Sequence, residues 1–157
     1  MVFGVIDDAG DKSYTYLRDI FPAIQNAQEH FNWLITDCYC NVSNPIEEEI
    51  ARQGYCWITG EALTAFAEQD RTAWLGAVFS GFEKDIPLEQ ILQYPRPIWE
   101  HPGFWRNPLT LQHPLATVEI VPWDCACTLL LSKNRKLISD YQLAYPKSQD
   151  LAEYNNQ

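Results

Sequence analysis

The chain has 157 residues, 46% of them hydrophobic, and a net charge of −10. That length suits one domain, and the apolar share is enough for a full core, which excludes disorder over the bulk of the chain. The charge speaks against nucleic acid and anionic membrane as partners, since both call for Lys and Arg on the protein, and it favours a basic protein partner or simply solubility.

Val2 to Ile6 reads as a short strand, followed by a polar turn from Asp7 to Asp11. Ser13 is placed to cap a helix from Tyr14 to about Glu29, with Leu17, Ile20, Phe21 and Ile24 at helical spacing. Pro22 lies inside it and predicts a kink or a split into two short helices. The centre of the chain is Phe31 to Phe82. Three short apolar runs there each carry a tryptophan followed by Leu or Ile, and read as strands: Phe31 to Cys38, Tyr55 to Ile58 and Trp74 to Phe79.

Between them stand two helices. Asn44-Pro45 with Glu47, Glu48 and Glu49 is a strong helix start, and Gly54 is its stop. Thr59 is the expected cap of the next helix, whose inner face is Leu63, Phe66 and Ala67. Ser80-Gly81-Phe82 is expected as a turn, and Gly76 as a bulge or a close backbone approach.

Asp85 is the expected cap of a short helix from Pro87 to Gln93. From Tyr94 to Pro114 five prolines and two tryptophans, Trp99 and Trp105, predict a long loop packed on the body. Thr117 to Val121 and Trp123 to Leu131 are strands, either one bent at Pro122 or two that pair. Ser132 or Asn134 caps a last helix, Arg135 to Ala144, and residues 147–157 form a polar tail expected to fray.

The fold class is therefore α+β: residues 1–146 as a single domain, with a twisted mixed sheet of five or six strands flanked by four or five helices. No apolar run reaches the roughly 20 residues that span a bilayer. The opening Met1-Val-Phe-Gly-Val-Ile6 lacks a basic segment of the secretory kind, so a cytoplasmic setting is expected.

Five cysteines, four of them in Cys38-x-Cys40 and Cys125-x-Cys127, are expected as reduced, buried thiols with no metal or cofactor assigned. Extended Cys-x-Cys brings two sulfurs together less well than the Cys-x-x-Cys turn of structural zinc sites. His30, His101 and His113 stand apart in sequence. No nucleophile elbow, phosphate loop or His-Glu-x-x-His occurs, so no catalytic residues are assigned and an enzyme is not expected.

The first 70 residues hold twelve Asp and Glu against three Lys and Arg; the remainder holds nine against eight. The candidate partner-binding residues are accordingly Asp7, Asp8, Asp11, Glu47, Glu48 and Glu49, with Trp99 and Trp105 as aromatic anchors. The helix dipole already accounts for part of the glutamate triplet.

In size, acidity and the Tyr55-to-Leu63 stretch with its Trp-Ile-Thr-Gly-Glu, the chain resembles small immunity proteins of bacterial toxin systems, including contact-dependent inhibition. The resemblance implies a protein that binds and neutralises a basic toxin domain. It carries no site residue across. The alternatives are a regulatory interaction protein without a toxin partner, and a small-ligand binder or hydrolase with its pocket under the 94–114 loop.

Overall fold

The computed structural model describes residues 1–9 and 15–157. Among these are seven strands: β1 (Phe3–Asp7), β2 (Phe31–Cys40), β3 (Cys56–Thr59), β4 (Trp74–Glu83), β5 (Val118–Trp123), β6 (Cys127–Ser132) and β7 (Gln149–Asp150). They form one sheet in the order β3-β2-β4-β5-β6-β1-β7. The α+β class stands, but every pairing is antiparallel rather than mixed.

The reason lies in where β2 inserts. Helix α2 (Pro45–Gln53) joins β2 to β3, and α3 (Gly60–Gln69) joins β3 to β4. Helix α3 does carry the chain across, so β3 and β4 run the same way. Between them lies β2, antiparallel to both. An alternating strand–helix order therefore produced no parallel neighbours.

Both sheet faces are apolar, as the Phe31–Cys38 run predicted. On the helical face Val5, Trp33, Ile35, Phe79, Ile120 and Leu130 meet α1 (Leu17–Ile20), Phe21, Ile24, α3 and α5 (Arg135–Ala144). Opposite is the loop face. There Ile6, Val78, Val121, Leu129 and Leu131 lie under Phe104, Leu109 and Leu151, while Leu34 and Phe82 lie under Ile91 and Ala116.

Local signals explain the elements that match. Asn44 Oδ1 accepts from Glu47 N at 3.0 Å, Pro45 opens α2, and Gly54 closes it at φ 91°. Thr59 Oγ1 accepts from Ala62 N at 3.1 Å. Asn134 caps α5, and Ser132 accepts from the Asn134 amide. Pro122 sits within β5, which pairs with β6 across a turn at 124–126, so two strands pair rather than one bending.

Four expectations are corrected. The helix foreseen from Tyr14 to Glu29 is the single turn α1 and two 3-10 turns, Pro22–Ile24 and Ala27–His30, broken by Gln25 and Asn26 in the left-handed region. Its proposed cap Ser13 lies outside the described residues. Asp85 does not cap α4 (Leu88–Ile91), whose N-cap is Pro87. Ser80 to Phe82 continue β4 instead of turning. The 147–157 segment does not hang free. Gln149–Asp150 pairs with β1, and α6 (Leu151–Asn155) buries Leu151 completely. Its apolar Leu151 and Tyr154, three residues apart, supply one helical face, and Asp150 caps it.

Gly76 permits a close approach, though not by bulging its own strand. A Cβ there would lie 2.8 Å from Trp99 of the loop. The irregularity is in β2 opposite, where the register slips between Thr36 and Cys40 and Asp37 takes φ 52°.

Candidate functional site at the acidic end of the sheet

Strand register collects one set of side chains at one end of the sheet. Strands β1 and β2 finish there at Asp7 and Cys40, and β4 and β6 begin there at Trp74 and Cys127. Asp8, Asp37, Asp70 and Asp124 follow or precede the strand ends here, with Glu47 and Glu48 at the adjacent start of α2, and Arg18 and Arg71 stand together at the same end. Toward the opposite end stand Lys84, Lys133, Arg135 and Lys136, with Lys84 paired to Glu61 and Lys136 to Asp140.

On the loop face, this end opens into a cleft of about 330 Å³ lined by Ile6, Asp8, Trp105, Trp123, Ala126, Cys127 and Tyr154. Trp123, at the end of β5, is its pivot. Trp105 stands edge-on to it at 4.9 Å between ring centroids, Trp99 at 5.4 Å and Phe104 at 6.1 Å, and Tyr154 of α6 closes on Trp105 at 6.2 Å. Each of Trp105, Trp123 and Tyr154 is half-buried, and Asp8 is exposed. The rings offer apolar faces to a ligand, and the exposed carboxylate offers a charge.

Burial, then the nearby Asp8 and Asp7 carboxylates, push the Cys127 thiol up to about 12. It enters the cleft as a neutral thiol, not a nucleophile.

Two expected residues, Asp8 and Trp105, thus meet in one cleft although 97 positions separate them (105 − 8). Trp99 supports it from below. Asp7 is a correction: only 1% exposed, it points to the helical face and accepts from Tyr141 Oη at 2.7 Å. Burial and this bond together hold the Tyr141 hydroxyl well above its ordinary value. Asp11 lies outside the described residues.

Glu48 is exposed, and Glu49 is half-buried and engaged with Arg52 and Gln53 of its own helix. Glu47 turns inward to Cys40 Sγ, with Cys38 beside them. Burial first, then the Glu47 hydrogen bond, raise the Cys40 thiol to about 11. Burial and then Cys40 raise the Cys38 thiol further still.

No local signal in the sequence marks Trp123 or Tyr154 as a site residue. Trp123 has the pattern of an ordinary strand residue, and Tyr154 falls in the polar segment expected to fray.

His101 and His113 are both engaged with the backbone. His101 Nδ1 accepts from Gly103 N at 3.0 Å and caps the 3-10 turn Pro102–Trp105. His113 is buried, its Nε2 bonded to Ile91 O at 2.9 Å and its Nδ1 to Leu115 N at 3.2 Å. Those partners put the proton on Nε2, and burial pulls its pKa down, so the ring is neutral.

No family model matches the chain, and no curated protein or solved structure matches it significantly.

Proposed function

We propose that this chain is a protein-binding module that docks a basic partner at the acidic end of the sheet, as an immunity-type protein neutralising a toxin domain would. The observation that carries the reading is the cleft itself, with the Asp8 carboxylate beside the rings of Trp105, Trp123 and Tyr154. A Lys or Arg side chain suits this combination. Its alkyl stem covers ring surface, its cationic head sits over a ring face, and Asp8 pairs with its charge. Asp124 and Glu48, both exposed toward the same end, add the long-range attraction that speeds encounter with a basic surface.

The test is capture of partners from source-cell lysate on the immobilised chain, at rising salt, with Trp105→Ala and Asp8→Asn in parallel. The expected result is one basic protein whose retention falls with salt and whose affinity drops about tenfold or more in the Trp105 variant. Specific capture that ignores both substitutions, or no specific capture at low salt, overturns the reading.

A small-ligand reading has one observation in its favour: the cleft volume lies at the lower end of the range of small-molecule sites. Quenching of tryptophan fluorescence by a low-molecular-weight lysate fraction, with no protein retained, would select it.

A further inference from the structure

The two Cys-x-Cys pairs have the same spacing and opposite surroundings. Cys125 sits in the turn at φ 59°, and Cys127 enters β6 on the loop face. Cys38 and Cys40 lie in the irregular end of β2, against the first turn of α2. There the two sulfurs stand 3.8 Å apart, and Glu47 Oε2 lies 2.6 Å from Cys40 Sγ. All three ligand atoms fall within 4.8 Å of one another.

We propose that Cys38, Cys40 and Glu47 form a binding site for a zinc-class divalent cation. The first argument is the sulfur spacing. Two thiolates each about 2.3 Å from a tetrahedral ion stand about 3.8 Å apart, which is the separation already present in the ion-free chain. The second is the carboxylate. Cys40 Sγ donates its thiol proton to Glu47 Oε2 at 2.6 Å, so a carboxylate oxygen already stands where an ion replacing that proton would meet it. Loading an ion widens that contact by about 1 Å, within reach of a side-chain rotation in the half-buried Glu47.

The third argument is the support behind the ligands. Asn44 is buried. Its Oδ1 fixes the amide of Glu47 at 3.0 Å, and its Nδ2 reaches Cys40 Sγ at 3.5 Å and Thr72 Oγ1 at 3.3 Å. One helix cap therefore orients two ligands from two elements, as outer partners of metal sites do. A fourth position is left for water or for the carbonyl of Val42, which lies 3.2 Å from Cys40 Sγ. Binding exchanges the thiol protons for the ion, so protons are released.

The site shares no ligand with the Asp8–Trp105 cleft, so either proposal can fail alone. The test is titration of the whole reduced chain with Co²⁺, read by absorbance, then displacement by Zn²⁺. The expected result is one equivalent of tetrahedral Co²⁺ with a near-ultraviolet thiolate charge-transfer band that Zn²⁺ abolishes.

Cys38→Ser and Cys40→Ser should each weaken binding about 100-fold or more, beyond the 10–100-fold typical for losing an outer partner, which is the expectation for Asn44→Ala. Glu47→Ala, at a half-exposed position that leaves the core intact, should weaken binding and shift the visible band. Cys125→Ser and Cys127→Ser should bind as the parent does. Absence of the charge-transfer band in the parent, its survival in Cys40→Ser, or its loss in the Cys125 variant instead, overturns the proposal. Circular dichroism of each variant separates lost ligation from lost folding.

Discussion

Both faces of the sheet are apolar, but they are covered in opposite ways. The helical face is roofed by α1, α3 and α5, whose backbone groups are largely bonded within their own turns. The loop face is roofed chiefly by residues 84–117, an irregular path whose amides and carbonyls must find partners one at a time. The sheet supplies several: Thr36 Oγ1 donates to Pro97 O at 2.8 Å, and Glu119 Oε1 accepts from His113 N at 3.1 Å. At the edge of β2, Asp37 Oδ2 accepts from Trp99 N at 3.0 Å, and within the loop Gln112 clasps both backbone groups of Ile98. Polar side chains at buried sheet positions are thus the fasteners of a roof whose only regular pieces are the short α4 and one 3-10 turn. That roof holds Trp105 over the cleft.

Removing a pillar of the helical face should have the largest effect. Trp33 is fully buried, meets Phe31 edge-on at 6.1 Å and donates Nε1 to Gln28 O at 2.9 Å. Trp33→Ala should cost about 3–5 kcal/mol in chemical denaturation, with the whole molecule losing stability together.

A fastener of the loop face should act through pH. Glu119 is fully buried, and burial raises its carboxyl to about 7. Its Oε2 and the neighbouring Ser80 Oγ have no hydrogen-bond partner among the described residues. The folded chain therefore holds this proton to higher pH than the unfolded chain does. The contribution to stability is full in acid and is lost as pH rises from about 4.5 to about 7, a span worth about 3 kcal/mol at 1.36 kcal/mol per unit. Glu119→Gln should flatten that slope and exceed the parent in stability at pH 8. A parent slope unchanged by the substitution would contradict this account.

Thr36→Val keeps the shape of the side chain but leaves the Pro97 carbonyl unpaired, at a cost of about 1–3 kcal/mol. Hydrogen exchange should show the loss first in residues 94–114 while β2 and β4 stay protected, because the fastener holds the roof and not the sheet. Uniform loss of protection would erase the distinction between the faces. The smallest effect is expected at a helix start. Lys136 N is bonded to Asn134 Oδ1 at 3.0 Å, and Asn134→Ala should cost about 1 kcal/mol, read by thermal denaturation.

Elements with short-range causes were legible in the amino-acid order. The Asn44-Pro45 start, the Gly54 stop, the Thr59 cap and the apolar strands of β2, β3 and β4 follow from neighbours within a few residues, and the sequence alone determined them. The acidic bias and the aromatic loop were legible too, and with them two residues of the cleft, Asp8 and Trp105. Tertiary structure alone decided the rest. It inserted β2 between β3 and β4, folded residues 149–155 onto β1, turned Asp7 inward to Tyr141, and brought Trp123 and Tyr154 to Trp105. It also made Glu119 a buried carboxyl and set Cys38 and Cys40 beside Glu47. Each of these depends on which strands become neighbours, and pairing energy between distant segments leaves no periodic trace along the chain.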